Sequence, residues 1–413
     1  MAATNREDAV SNRSRARIPF AVLLAAVAAC DAVPPNAPSF LSDRATAMSV
    51  ASLGRPVSFL TAHQQAQFKR GRVVFTTDFT PETGLGPLFN STGCAECHED
   101  PVVGATGDEV EVHATAYHPS GQPACSDLSD VGGPVVQQHV TQALHDALGI
   151  DAEPLPEGFT ATAHRISPSI LGFGLLDAVP EAEIQGFADA QARGHDGVSG
   201  RPNRTPDGRV GRFGRKAQSP TLSEFTAGAF IQEMGITSPA FPTELSVAGK
   251  PLPAGVDPAG DPELSQDDLE AADAFVRFLD APTPLAFAIG QLPGRKIFSR
   301  IGCAECHIPA LTTGPNPVQA FNNKIVPGFT DLLLHDMGPD FADICLGEAE
   351  PSEFRTEPLM GLRFVTAFLH DGRAATIDEA IRLHAGEATA ARDRFLALSD
   401  GERGVLLKFL GKL

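Results

Sequence analysis

Several stretches carry apolar residues at helical spacing behind a recognisable start signal. Ser265-Gln266-Asp267-Asp268 opens a predicted helix running to Phe278-Leu279, and Ser399-Asp400-Gly401-Glu402 opens another running to Phe409-Leu410. Each start reads as a capping box: a hydroxyl satisfies an orphan backbone N–H while the acid three residues on reaches back. Thr376 and Glu379 form a third box. Behind it Ile377, Ala380, Ile381 and His384 fall at i, i+3, i+4 and i+7, on one helix face. A further amphipathic helix leads from Gly294 into Cys303.

The N-terminus follows a different pattern. Arg13, Arg15 and Arg17 flank a short apolar run, Phe20 to Ala29, that is too short to span a bilayer. It ends in Val27-Ala28-Ala29-Cys30, small residues ahead of a single Cys, and so resembles a lipoprotein signal with Cys30 as the acylated first residue of the mature chain. A plain secretory signal with Cys30 incidental is the weaker reading. Residues 1–29 are therefore expected to be a signal peptide, and residues 30–54, with Pro34, Pro35 and Pro38, a flexible tether. The chain is expected to be periplasmic, held to the membrane by its lipid anchor.

Four of the remaining six cysteines lie in two copies of one hexapeptide, Gly93-Cys94-Ala95-Glu96-Cys97-His98 and Gly302-Cys303-Ala304-Glu305-Cys306-His307. C-x-x-C-H is the attachment signature of c-type haem. Two thiols one turn apart reach the two vinyl groups of one porphyrin, and the His that follows lies under the ring and ligates the iron. A zinc knuckle or a redox thiol pair uses similar spacing. The identical repeat, the adjacent His in both copies and the export signal favour two covalent haems. Cys125 and Cys345 are read either as one disulfide, which export permits, or as two free thiols.

The surroundings of the two motifs are also repeated. Gly71-Arg72-Val73-Val74-Phe75 precedes the first and Gly294-Arg295-Lys296-Ile297-Phe298 the second, with a Gly/Pro-containing insert, 76–92, interrupting the first copy. A haem-bearing helix crossed by a C-terminal helix is the plan of a cytochrome c fold. The expected fold is thus mainly α, with two cytochrome c-like domains: 55–282, enlarged by insertions, and 283–413, joined at Ala281-Pro282-Thr283-Pro284. Mid-unit, Pro220-Thr221-Leu222 and Ala229-Phe230-Ile231 match Pro358-Leu359-Met360 and Ala367-Phe368-Leu369 without a gap. Gln232-Glu233-Met234 then stands where His370-Asp371-Gly372 stands, so the two haem sites are not equivalent.

The sixth iron ligand decides the chemistry. An iron with two protein ligands moves electrons, and one with an open position can bind a small molecule. A lone His on an apolar face is commonly a hydrogen-bonded core residue. In a domain that must bury a haem, ligation by His384 is the stronger reading.

Phe368-Leu369-His370-Asp371-Gly372-Arg373, with Thr376 and Glu379-Ala380, resembles the bacterial di-haem cytochrome c peroxidases and MauG-type enzymes. Gly84-Leu85-Gly86-Pro87-Leu88-Phe89-Asn90, Gly211-Arg212-Phe213-Gly214, Leu332-Leu333-Leu334-His335-Asp336-Met337-Gly338-Pro339 and Leu383-His384-Ala385-Gly386-Glu387-Ala388 resemble more closely the di-haem oxidoreductase family, often labelled thiol oxidoreductase. The resemblance runs from about residue 65 to the C-terminus. It implies a second-haem ligand fourteen residues beyond His370, where this chain has His384, giving a bis-His second haem with His307. Counting likewise from Gln232 reaches Ser246, a poor ligand. The resemblance also places a displaceable His soon after the first motif, for which His113 and His118 are candidates, with a small molecule binding at that haem. Met337 is a lesser rival to His384. Calcium between the haem domains is known in the peroxidases and is a candidate cofactor, although no compact acidic cluster marks a site. The inter-haem Trp of those relatives is missing, since this chain has no Trp, and no catalytic acid can be aligned.

Composition narrows the partners. The 413-residue chain has a formal charge of −19, which argues against nucleic acid. Against that acidity, Arg193, Arg201, Arg204, Arg209, Arg212, Arg215 and Lys216 crowd one loop with only Asp196 and Asp207 opposing them, and two or three are expected to pair with haem propionates. The expected function is a peroxidase-like di-haem oxidoreductase with a small-molecule site at the first haem, peroxide as a candidate oxidant and a small cytochrome or similar protein as redox partner. The alternatives are a pure electron carrier, which needs a strong distal ligand such as His113, and a haem-dependent oxygenase of the polymer-cleaving type, which needs an open apolar first pocket.

Overall fold

Two pairs of crossed helices carry the two C-x-x-C-H segments. In the first pair, α1 (Ala62–Phe75) starts at Thr61, whose side chain forms a capping box with Gln64, and buries Phe68, Gly71, Val74 and Phe75. It crosses a helix we label α4 (Gln266–Phe278), which buries Leu269, Ala272, Phe275 and Phe278 among others. The contact is close because position 71 is Gly. A Cβ there would lie 1.8 Å from the Ala271 carbonyl oxygen. The second pair repeats the device. Helix α5 (Leu292–Arg300) crosses α8 (Asp400–Leu410) at Gly294, where a Cβ would meet Phe409 Cβ at 2.4 Å. The duplicated Gly-Arg segments of the sequence are thus two crossing points. Phenylalanines fill the space beside them: Phe75 and Phe275 lie 4.9 Å apart between ring centroids, and Phe298 and Phe409 lie 5.7 Å apart.

The computed structural model describes residues 50, 52–194, 197–283, 285 and 289–413. The signal segment, Cys30 and the tether up to residue 49 lie outside the described residues, as do Asp196 and Pro284. From Val50 to Leu413 the chain makes one compact unit, and its largest apolar cluster draws on both halves, from Leu53 and Phe68 to Phe321 and Leu333.

The helix starts follow the expected chemistry unequally. At Ser399 the box is complete. At Ser265 the hydroxyl accepts from Asp268 N (3.2 Å), but the Asp268 carboxylate turns to that hydroxyl (2.8 Å). Asp is one methylene shorter than the Glu or Gln that completes a box. At Thr376, which caps α6 (Ile377–Leu383), Glu379 accepts from Ala375 N instead, at 2.9 Å.

The mid-unit sequence match is not a structural repeat. Residues 222–234 form a helix, α3 (Leu222–Met234), capped by Thr221 and ended by Gly235 at φ +64°. The matching stretch of the second half holds only a short 3-10 turn, Leu362–Phe364, with Gly361 and Leu369 in the left-handed region. Pro358 and Leu359 provide no hydroxyl cap there. Between α1 and α3 lie α2 (Glu181–Gln191) and a sheet absent from the sequence expectation. Strand β1 (Val110–Tyr117) pairs antiparallel with β4 (Ala161–Ile166), in register from Val110↔Ile166 to Thr115↔Ala161. The short strands β2 (Cys125–Ser126) and β3 (Val135–Val136) also pair with β1. Cys125 is disulfide-bonded to Cys345, Cα to Cα 5.8 Å, which ties this sheet to the second half. Later, β5 (Leu334–Asp336) pairs with β6 (Glu353–Arg355) and sets His335 beside Phe354.

Candidate functional site

A cavity of about 290 Å³ opens beside the second motif. Cys303, Cys306, His307 and His384 all line it, among Phe298, Leu359, Ile377 and Ile381. His307 follows the short turn Cys303–Glu305, and His384 ends α6. Both rings are oriented through the same atom. His307 Nδ1 lies 3.0 Å from Phe329 O, and His384 Nδ1 lies 2.7 Å from Ala380 O. At the first motif His98 Nδ1 lies 3.1 Å from Ala105 O. A backbone carbonyl accepts from Nδ1–H in each case, which leaves the Nε2 lone pairs of His307 and His384 available, the arrangement of an imidazole ligand; His98 has the Pro168 backbone as a second neighbour. Burial lowers all three below the ordinary imidazole value, His307 to about 4 with the nearby His384 as the next cause. They are neutral, as a metal ligand must be.

Other histidines at the cavity behave differently. His335 lies between two carboxylates, Nε2 2.9 Å from Asp331 and Nδ1 2.8 Å from Glu387. Burial opposes its charge, but these partners and Cys306 raise its pKa well above the ordinary value, so it is an imidazolium and no ligand. Gln191 of α2 donates to Asp331 (2.8 Å), and Ser199 N donates to Glu387 (2.9 Å). His370 stacks on Phe354 at 4.4 Å between centroids, and burial lowers it to about 4. Met337, the lesser candidate ligand, lines the same cavity.

The first site has a different outer shell. Glu111 on β1 lies 3.1 Å from His113 Nε2. Burial works against ionisation of Glu111, yet His113, His98 and Arg165 hold its pKa below the usual carboxylate range. Glu233, on the last turn of α3, accepts from Asn90 Nδ2 at 3.0 Å, and burial together with Glu111 pushes it well above that range. The charges of both acids reach Cys97, and that of Glu233 reaches Cys94. His113 Nδ1 is buried and without a hydrogen-bond partner, whereas His118 is exposed where β1 ends. Burial pushes the Cys94, Cys97 and Cys303 thiols up to about 12, the reverse of an activated thiolate pair.

Residues 155–413 match the family described as "Di-haem oxidoreductase, putative peroxidase". The chain belongs to this family. Solved structures similar to it include hydrazine synthase of Kuenenia stuttgartiensis (15% identity over 89% of this chain and 92% of that one, TM-score 0.41). A MauG-like protein associated with microbial copper homeostasis is another (14%, 87% and 92%, TM-score 0.37). A variant of the diheme peroxidase BthA from Burkholderia thailandensis is a third (17%, 88% and 88%, TM-score 0.40). No curated protein matches the chain significantly.

This di-haem oxidoreductase family implies two haems, and the donors present fit them: imidazoles held neutral by burial, paired half-buried thiols, and, at the second motif, a cavity. Most cations of the basic loop have protein partners. Arg201 pairs with Glu353, Arg209 with Asp207 and Glu224, and Arg212 donates to the Asp177 and Val179 carbonyls. Lys216, fully buried, pairs with Asp343 (3.0 Å). Arg212 and Lys216 satisfy carbonyls and a carboxylate inside the fold, whereas the Arg209 pairs lie at the surface. Of the loop cations only Arg215 lines the cavity, where it meets Glu357 at 3.0 Å. The cavity's other guanidinium groups, Arg355, Arg392 and Arg394, went unnoticed in the sequence because they are scattered among acids. Glu111, Glu233 and the Asp331–His335–Glu387 group were missed for a similar reason. Glu233 meets Asn90 across 143 positions, Asp331 meets Gln191 across 140 and Glu387 meets His335 across 52, while Glu111 meets His113 only two residues away but reaches the first motif only through the fold.

Proposed function

We propose that the chain is an exported di-haem c-type cytochrome that reduces a peroxide-like small molecule at its first haem, with electrons entering through its second. Cys94 and Cys97 would hold the first haem and Cys303 and Cys306 the second, with His98 and His307 as proximal ligands. His384 would complete the second iron, leaving it six-coordinate and suited to electron transfer. The bound haems supply the redox chemistry. The chain orients three neutral imidazoles, buries the second site, and keeps two carboxyl groups beside the first. Reduction of peroxide to two waters consumes two electrons and two protons. The electrons would come from a redox partner protein such as a small cytochrome. Glu111 and Glu233 are the groups placed to hold and pass protons. Cys30 would anchor the chain to the periplasmic face of a membrane as a lipoprotein.

The observation that carries this reading is the asymmetry of the two sites. His384 stands at the second motif with its Nδ1 on the Ala380 carbonyl and Nε2 available, while His113, the candidate at the first, has its Nε2 engaged by Glu111. A pure electron carrier is the second reading, favoured by the orphaned Nδ1 of His113, which would make a sixth ligand there. Low-temperature EPR of the fully ferric purified protein separates the two. One high-spin and one low-spin signal, with turnover of peroxide against a reduced cytochrome, support the enzyme. Two low-spin signals that persist after one-electron reduction, with no turnover, support the carrier.

A further inference from the structure

The loop between α3 and α4 is about thirty residues long and contains no helix or strand, only two tight turns closed by the bridges Ser238↔Phe241 and Val247↔Lys250. Structureless loops of that length are uncommon in compact domains unless something holds them. Part of this loop packs on Leu88 and Leu144 through Val256 and Leu252. The rest is drawn together by acids. Glu244, Asp257, Asp261 and Glu263 each place a carboxylate oxygen within 4.8 Å of the other three. None is paired with Lys, Arg or His among the described residues. In sequence the four are separated by Pro, Gly and Ala and form no run, which is why no acidic cluster was visible there.

Convergence of acids alone would be unremarkable on a surface. Here both carboxylate oxygens of Glu244 are sealed from solvent, each with under 1 Å² accessible, and neither has a hydrogen-bond partner. Glu263 Oε1 is equally buried and unpartnered, while its Oε2 accepts from Thr237 N (2.8 Å) and Thr237 Oγ1 (2.5 Å). Asp257 accepts from Ala259 N at 3.0 Å. Buried carboxylate oxygens without donors are costly, and the remedy is a proton or a cation. One proton shared between Glu244 and Asp261 would satisfy one of the three orphaned oxygens. A cation satisfies all of them.

We propose that Glu244, Asp257, Asp261 and Glu263 form a binding site for one calcium-like divalent cation. An all-carboxylate donor set suits a hard cation. Calcium binds oxygens at about 2.3–2.6 Å, so ligands on opposite sides of the ion stand roughly 4.6–5.2 Å apart, whereas magnesium needs about 4.2 Å and a near-ideal octahedron. Carboxylates drawn together by a loop without helix or strand suit calcium's adaptable shell of roughly six to eight oxygens better than the strict octahedron of magnesium. The ion would cross-link the turn at Glu244 to the loop end before α4. That end also packs on the wall of the first motif: a Cβ at Gly84 would meet Glu263 Cβ at 2.7 Å, and Leu264 and Leu85 share a cluster with Cys94.

The test is titration calorimetry of CaCl2 into the chelator-treated full chain, with MgCl2 in parallel and thermal unfolding as a second readout. One calcium should bind per chain with a Kd of roughly 10⁻⁶–10⁻⁴ M, tighter than magnesium by at least about tenfold, and calcium should raise the unfolding temperature. Glu244→Gln should weaken calcium binding at least about tenfold. Asp261→Asn, at the exposed member of the group, should do the same and guards against a Glu244 variant that fails to fold. Glu270→Gln, an exposed acid on α4, should change nothing. Absence of binding up to about 10 mM calcium, the weak end of protein sites being near 10⁻³ M, overturns the site. Calcium binding of undiminished affinity in Asp261→Asn overturns it equally.

Discussion

Gly71 lets α1 touch the backbone of α4 directly: a Cβ on residue 71 would sit 1.8 Å from the carbonyl oxygen of Ala271. No rotamer relieves such an overlap, because the obstacle is backbone. Gly71→Ala must therefore push the helices apart and disturb the Phe68–Phe275 and Phe75–Phe275 contacts beside them. We expect a loss of about 1–3 kcal/mol or more, and the same direction for Gly294→Ala in the second pair. Gly228, inside α3 with nothing within 4 Å of its Cβ position, is the control, since alanine there should gain about 0.5–1 kcal/mol. Thermal unfolding of the three variants checks this. A neutral Gly71→Ala would refute the crossing geometry.

What could be read from the sequence was what depends on neighbours along the chain. The Thr376 cap and the apolar stripe behind it place His384 at the end of α6, where it lines the cavity with His307. The repeated Gly-Arg segments marked two equivalent helix crossings. Where the reading failed, the deciding contact was distant in sequence or was made by backbone. The ungapped match between 220–231 and 358–369 became a helix once and an irregular turn once, because a Thr221 hydroxyl caps the first while Leu359 cannot cap the second. The partners of the basic loop were equally unreadable: Glu353 meets Arg201 and Asp343 meets Lys216 across more than a hundred positions. The β1–β4 sheet was invisible because Val110–Tyr117 mixes charged and small residues and draws its pairing from a strand more than forty positions away.

His384→Ala tests the second site. The cavity is lined on several sides by other elements and α6 keeps its Thr376 cap, so the fold should survive with the loss of one ring–carbonyl contact. With two haems bound, the ferric low-spin signal should disappear or convert to high spin while the signal of the first site stays as it is. An unaltered low-spin signal would assign the sixth position to another group, and Met337, on the same cavity, is the next variant to make.

The charged His335 predicts a pH signature. Its folded pKa is raised by Asp331, Cys306 and Glu387, so the stabilisation it brings is fully present below the unfolded value of about 6.5. It is lost as pH rises from there through the folded value. Glu387, lowered by His335 and Ser199 against its burial, contributes in the opposite sense, with stability present above about 4.3 and lost as pH falls through its folded value. The stability gap between the native chain and His335→Gln should therefore be widest at about pH 5–6.5 and narrow steadily on the alkaline side. Unfolding temperatures of both proteins across that range provide the measurement. A gap independent of pH would mean that His335 contributes by packing alone.

Glu111 offers the sharpest probe of the first site. Its carboxylate meets His113 at 3.1 Å and its charge acts on both His98 and Cys97, so it is the acid best placed to serve chemistry at that motif. Glu111→Gln preserves shape, keeps an oxygen that can accept from His113, and removes the charge and the ability to exchange a proton. If the group handles protons during peroxide reduction, kcat should fall by about 10²–10⁴. Haem content and the second-site spectrum should stay constant. A purely structural role would show otherwise: His113, released from its partner, would shift or ligate, and the first-site spectrum would change along with the rate. Glu233→Gln separates the two acids further. Burial and Glu111 favour the protonated form of Glu233, so the amide mimics that form and should leave the first-site spectrum intact, and a loss of rate there would mean that its proton is used.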